Sequence, residues 1–342
     1  MRLPSSIKFG GMNTGHIQGI ATDKDRKYMY YSFTTSFIKT DMEGNIIGSV
    51  DGLCGHLGCI AYNYDDGMVY GSLEYKHDAI GKPILERVSR QQNAEIDVED
   101  GFYIVRFDVE KIDRVGMNAE ADGVMNAVYL PEVVADFKAE GHRHGCSGID
   151  GITFAPIPGE KDGKRYLYVA YGIYSDLERD DNDDQVLLRY DFRDFDEYAA
   201  PLNQKSMHKR GPIKPESKYF VYTGNTVWGV QNLEYVPEND LMILAVYLGK
   251  KPTFPNYPMF TVDMNKKPVP FEGGERLTLA EVGQRDEKTG IWGIDFPYGS
   301  TGVISLGDGK FYFSKPSQDG VERWNTEIYL YSFDGKGNFS EL

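Results

Sequence analysis

Five times along the chain the same short phrase returns: a polar or small-residue approach, an apolar strand, a turn rich in Gly and charge, and an aromatic strand. The copies run from His16 through the turn at Asp23–Lys27 to Ser32, and from His56 through Asp65–Gly67 to Ser72. A third runs from Ser147 to Tyr171, a fourth from Gly229 through Pro237–Asp240 to Tyr247, and a fifth from Gly299 through Gly307–Gly309 to Ser314. Aligning Gly19, Cys59, Gly151, Asn232 and Gly302 gives steps of 40, 92, 81 and 70 residues, the differences between those numbers. A unit of this kind cannot bury its own apolar faces, so copies must stack against one another.

Each copy continues into a third strand that ends in Asp: Asp41, Asp108, Asp191, Asp263 and Asp334. An Asp there can hold the following backbone and start a turn. A fourth, more polar strand follows in some copies, as at Asn45–Val50. The chain carries 24 Tyr, 18 Phe and 38 Gly, and lacks long Ala/Leu/Glu/Lys runs. Aromatic residues favour strands and Gly favours turns. The expectation is all-β: a five-bladed β-propeller with four-stranded blades and no helices. Residues 1–342 form one domain, with inner strands near 16–22, 56–62, 148–155, 229–236 and 299–305. Arg2–Phe9 is expected to pair with the last blade and close the ring, removing a sheet edge.

Extra sequence gathers at residues 74–100, 173–184, 249–258, 273–298 and 315–326. All five segments are expected on the face from which the inner strands start, and long loops on a rigid scaffold are where sites usually lie.

Equivalent positions of a circular repeat converge on its axis. His16 and His56 are equivalent, and His144 lies slightly upstream in the third copy. Next come Gln18, Gly58, Asp150, Gln231 and Thr301. Imidazole is a frequent metal ligand and moves protons near neutral pH. The reading is one divalent metal held by His16, His56, His144 and Gln231, or an acid/base site in which His56, His144 and Asp150 are catalytic. Tyr75, His77, Trp228 and Trp292 supply a sugar-binding surface, with Lys315 and Arg323 for an acidic group, since aromatic faces stack on sugar rings and cations hold carboxylates. Asp180, Asn182 and Asp184 have the spacing of a calcium loop but lack its Gly and its final Glu, so they read as a solvated loop.

A net charge of −15 opposes nucleic acid and anionic membranes. Three cysteines, Cys54, Cys59 and Cys146, read as buried free thiols in a reducing compartment. No basic-then-apolar leader precedes Ser5, and the longest apolar run, Leu241–Leu248, is only strand length. The expectation is a cytoplasmic protein, with an extracytoplasmic one as the alternative where a leader has been removed. No GxSxG, P-loop, HExxH or dinucleotide-binding glycine motif occurs.

The five-unit pattern resembles the five-bladed propellers, a group that includes arabinanase-type glycosidases and calcium-dependent apyrases. The His16, His56, His144, Gln231 set resembles the metal site of propeller polysaccharide lyases. The resemblance implies a carbohydrate-active enzyme, lyase or hydrolase, taking an oligosaccharide or other small ligand. Arabinanase-like enzymes would carry Asp, Asp and Glu where this chain has Gln18, Gly58 and Asp150. The alternatives are a non-catalytic propeller that binds a glycan or protein, and a metal-dependent phosphatase or lactonase.

Overall fold

The computed structural model describes residues 3–93, 95–161, 163–271, 273–320 and 323–342. The short strands fall into five sheets placed around one axis. Blade one is Ile17–Thr22, Tyr28–Phe33, Ser36–Asp41 and Ile46–Asp51. Blade two is His56–Tyr62, Val69–Tyr75, Gly101–Phe107 and Met125–Tyr129. Blade three is Cys146–Ala155, Tyr166–Ile173, Asp184–Tyr190 and Ser217–Tyr222. Blade four has three strands, Val227–Val236, Leu241–Tyr247 and Met259–Asp263, with isolated bridges to Leu279 and Ile294 along its outer edge. Blade five is Val303–Gly307, Lys310–Asp319 and Arg323–Phe333. Its next strand is Ser6–Met12, antiparallel to Arg323–Phe333 with Ile7 opposite Ile328. The start of the chain therefore closes the ring, as the sequence suggests.

The side-chain period of two explains why five sheets need each other. Successive residues of a strand face opposite sides, and here both sides are apolar. Val69 and Leu73 of blade two pack toward blade one with Leu57, Tyr30 and Phe37. Tyr70 of the same strand packs toward blade three with Phe154 and Val169. Similar clusters fill the gaps between blades three and four, four and five, and five and one. Each large side chain so buried contributes about 1.5–3 kcal/mol.

The turn-starting aspartates behave as their chemistry demands. Asp41 Oδ1 accepts the backbone N–H groups of Glu43 and Asn45, and Asp334 Oδ1 accepts those of Lys336 and Asn338. Asp191 and Asp263 do the same for Arg193 and Asn265. Outer edges are latched by neighbours. Met117–Asn118, from the chain of blade two, runs parallel to the outer strand of blade one. Gly274–Arg276, which follows blade four, runs parallel to the outer strand of blade three.

Two differences from the sequence reading stand out. Helices do occur: α1 (Gly81–Gln92) fills the insertion in blade two, and α2 (Pro131–Lys138) follows its last strand. Leu85 and Val88 of α1 pack into the cluster between blades one and two, which stabilises a helix in a region too charged to read as a strand. Residues 315–326 are largely not a loop. The second and third strands of blade five simply extend, pairing from Lys310–Ser332 out to Asp319–Arg323, with residues 321 and 322 outside the described set.

Candidate functional site

The inner strands give the hub an upper mouth, where they start, and a lower mouth, where they end. Between the two the hub is plugged. Asn232 donates through Nδ2 to the carbonyls of Gln18 (2.8 Å) and Ser300 (3.1 Å). Its Oδ1 accepts from the Cys59 thiol at 3.3 Å. Cys59 and Asn232, two of the residues aligned on sequence grounds, meet in this layer, and Gln18 directly precedes a third, Gly19. All three cysteines are free and buried, and burial pushes the Cys54 and Cys59 thiols up to about 12.

Above the plug lies a recessed polar floor. Gln18, His56, Asp150, Gln231 and Thr301 are each less than a tenth exposed. The rim around them, His16, Trp228, Tyr247 and Ser300, is partly exposed. His16 Nε2 lies 3.1 Å from Gln18 Nε2, and its ring meets Trp324 with centroids 5.5 Å apart. Burial, together with the nearby His56 and Arg87, lowers His16 to about 4. Gln231 donates to the carbonyl of Trp228, which has a positive φ of 65°.

Under this floor sits a buried ion pair. Glu74, near the end of the second strand of blade two, and Lys76, one residue past that end, meet side by side. Lys76 Nζ lies 2.6 Å from Glu74 Oε1 and donates to the Ser147 carbonyl at 2.7 Å. Glu74 Oε2 accepts the Ile149 N–H at 3.1 Å. Burial alone would raise Glu74, but Lys76 and His56 hold it below its ordinary value, while Glu74 and Asp78 raise Lys76 against burial. Both groups are therefore charged. His56 Nδ1 is 3.2 Å from Glu74 Oε1, close but not aligned for a hydrogen bond.

Asp150 is different. Its Oδ1 has no hydrogen-bond partner although the group is 8% exposed. Burial, opposed by His56 and reinforced by Glu74, pushes its carboxyl up to about 7. Two glycines make room for the carboxylates. A Cβ at residue 58 would fall 2.3 Å from Asp150 Oδ1, and one at residue 148 would fall 2.0 Å from Glu74 Oε2. A buried, unsatisfied acid beside an imidazole is an arrangement that folding alone does not favour.

The upper mouth thus gathers His16, His56, Asp150 and Gln231 from the residues singled out in the sequence. It does not gather His144. That ring packs on Phe220 of the outer strand of blade three, centroids 5.0 Å apart, among Arg143, Lys218 and Asp181. The three residues Arg143–Gly145 form a tight turn that carries it outward. Among the described residues no three His, Cys, Asp or Glu side chains converge as a metal would require. The three-histidine metal set is therefore corrected to two imidazoles, and His144 leaves the catalytic set with it.

The expected sugar-binding surface also divides. Trp228 stands on the rim. Tyr75 is a core residue whose hydroxyl donates to Gln204 Oε1 at 2.8 Å, because the second strand of blade two runs longer than its charge suggests. His77 is at the surface with Asp100, 2.8 Å away. Trp292 belongs to a short hairpin, Gln284–Arg285 with Trp292–Gly293, outside blade four. Lys315 is occupied by Glu341 at 3.1 Å and by the faces of Tyr298 and Tyr329, and Arg323 lies at the exposed tip of blade five. The Asp180–Asp184 loop already holds a cation: Lys251 Nζ donates to Asn182 Oδ1 at 3.0 Å and Asp183 Oδ1 at 2.6 Å. Sequence reasoning missed Glu74, Lys76 and Tyr247. The signal available for the first two was a Glu and a Lys on one face at the end of an otherwise apolar strand.

No family model and no curated protein sequence matches the chain. Among solved structures, a GH43 β-1,3-galactosidase, BT3683, aligns over 95% of this chain and 93% of its own at 11% identity and a TM-score of 0.44. An AA12 carbohydrate-active enzyme of Trichoderma reesei aligns over 91% and 80% at 10% identity and 0.42. The soluble aldose sugar dehydrogenase of Escherichia coli aligns over 92% and 96% at 11% identity and 0.41. These likenesses lie at the level of general architecture and assign no residue of this chain. No helix among the described residues is long and apolar enough to cross a membrane.

Proposed function

We propose that the chain is an enzyme that performs acid/base chemistry on a carbohydrate held in the upper mouth, and that the chemistry is elimination rather than hydrolysis. The observation that carries this reading is Asp150, a buried acid with a free oxygen beside His56. An acid with its proton balanced near neutrality is suited to protonate a leaving oxygen. His56 is the neighbouring base.

Hydrolysis by the usual route needs two available carboxylates flanking the bond. Here the second carboxylate, Glu74, is committed to Lys76 and the Ile149 N–H. A uronate-type sugar suits the remaining groups. His56 takes the proton from the carbon next to the sugar's carboxylate. The electron pair of that C–H bond becomes the new C=C bond, the C–O bond to the leaving sugar breaks, and the departing oxygen receives the proton of Asp150. Gln18, Gln231, Tyr247 and Ser300 offer hydrogen bonds to hydroxyls, and Trp228 and Trp324 offer faces for the ring.

The test is a panel of uronate-containing and neutral oligosaccharides, read by ultraviolet absorbance of an unsaturated product and by reducing ends. Wild type should form the unsaturated product, with the rate falling as pH rises through about 7, where Asp150 loses its proton. Asp150→Asn and His56→Ala should each lose about 10²-fold or more. Reducing ends without unsaturated product would replace elimination by hydrolysis. No turnover, or turnover indifferent to both substitutions, would sink the enzyme reading at this mouth.

A further inference from the structure

Below the Asn232 layer the hub opens again. A cavity of about 330 Å³ occupies the lower mouth, and all five blades contribute to its wall. Its base is Glu234, whose Oε1 accepts the Ser305 N–H at 2.7 Å. Over it stands Arg165, with its guanidinium carbon 5.7 Å from the centroid of Tyr64 and 5.6 Å from that of Tyr235. Arg26 reaches in from blade one and is anchored by donating to the Leu306 carbonyl. None of the described residues forms an ion pair with Arg165, although it lies close enough to Glu234 and Tyr64 to act on both electrostatically. Two clamping rings fix the plane of the guanidinium and leave its edge for a ligand.

From this we infer a second binding site, in the lower mouth, for a small monocarboxylate of about one sugar ring in size, gripped through its carboxylate by Arg165 with Arg26 beside it. The size follows from the cavity, which is at the small end of ligand pockets. The charge follows from the guanidiniums, whose fork matches a carboxylate. A single negative charge is favoured because Glu238 shares the pocket and would repel a dianion. Glu234 supports the same choice. Burial pushes it up to about 8, so at neutral pH it is a proton donor to the ligand rather than a competing anion. Gathering three cations, Lys24, Arg26 and Arg165, in one cavity runs against a chain of net charge −15. The plug separates this site from the upper mouth, so the inference does not depend on the reaction proposed there.

The experiment is calorimetric titration of the purified chain near neutral pH with D-glucuronate, D-glucose and D-glucose 6-phosphate. Glucuronate should bind saturably and glucose should not. Arg165→Gln should weaken glucuronate at least tenfold, about 1.4 kcal/mol, and Arg26→Gln by less, with both variants checked for an unchanged thermal melt. Asp150→Asn, at the other end of the plug, should leave this affinity intact. Tighter binding of the phosphate ester would overturn the monocarboxylate assignment. No saturation at millimolar glucuronate, or full affinity in a folded Arg165→Gln, would overturn the site.

Discussion

The two ends of the hub are built from the same repeat and treat charge in opposite ways. At the upper mouth the strongest charges are satisfied inside the protein. Glu74 has Lys76 at 2.6 Å and a backbone N–H at 3.1 Å, while Asp150 Oδ1 and the His56 Nδ1 beside it are left without hydrogen-bond partners. At the lower mouth the cations are stacked or anchored through neutral groups, and their charge faces an open cavity. The upper floor is nearly closed to water, whereas the lower wall includes Tyr64 at 46% exposed. On the two readings proposed above, the plug divides the hub into two sites, one arranged around proton transfer on a recessed floor and the other around holding an anion.

The largest test of this contrast removes the buried cation. Lys76→Ala should destabilise by about 3–5 kcal/mol, because it strands Glu74 as a buried unpaired charge. The joint replacement Lys76→Met with Glu74→Gln should cost much less. Denaturant unfolding of both variants decides it. A single-substitution cost below about 1 kcal/mol would mean that the upper mouth is not internally neutralised, and the two ends would no longer differ.

Asp150→Asn comes next, and its effect depends on pH. The folded-state pKa of Asp150 is raised from 3.8 to about 7, so between those values the unfolded chain releases a proton that the folded chain keeps. Stability is therefore fully retained below about pH 4 and lost as pH rises toward 7. At 1.36 kcal/mol for each pH step, the loss at pH 8 reaches about 4 kcal/mol. Asn cannot ionise, so the variant should match wild type near pH 4 and exceed it by up to that amount at pH 8. Glu234→Gln should give a gain of similar size, in a window that runs from about pH 4.5 to about pH 8. His16 has the opposite sign. Its pKa is lowered to about 4, so its contribution is present above 6.5 and lost as pH falls through 4.

How much of this was legible in the sequence follows from what repeats. Five equivalent strand starts and five terminal aspartates come from backbone geometry that every blade must satisfy, so the ring, the closing strand and the axial layers could be read. Even the plug was implicit, because Cys59 and Asn232 fell at equivalent positions. His144 failed because it lies four residues before Gly148, the position equivalent to His16, in the tight turn Arg143–Gly145 that precedes the strand and carries its side chain to the outer edge. Tyr75 failed because a buried ion pair two residues wide made the end of a strand look like a loop. The lower mouth was missed altogether. Its residues lie at strand ends and in turns, where Arg26, Tyr64 and Arg165 share no position in the repeat, and only the closed ring brings them together.

Opening the partition between the mouths should matter less than breaking the ion pair. Asn232→Ala removes three hydrogen bonds across the axis and should cost about 2–3 kcal/mol, at roughly 1 kcal/mol for each bond. It should also let ligand bound at one mouth influence the other, which calorimetry of glucuronate in the variant would detect as an altered affinity.

The smallest effect separates two serines that do the same structural job. Ser32 Oγ donates to the Gly58 carbonyl at 2.6 Å, and Ser72 Oγ donates to the Asp150 carbonyl at 2.6 Å. Each ties the second strand of its blade to the inner strand of the next. Replacing either by Ala should cost about 1 kcal/mol, the net worth of one buried hydrogen bond. Only Ser72 borders the acid: a Cβ on Gly58 would be crowded by Ser72 Oγ and Asp150 Oδ1 together. Ser72→Ala should therefore also shift the pH at which the stability loss from Asp150 levels off, while Ser32→Ala leaves that midpoint where it is. Equal midpoints in the two variants would mean that the acid is insulated from the strand beside it, and its unusual proton affinity would then have to come from burial and Glu74 alone.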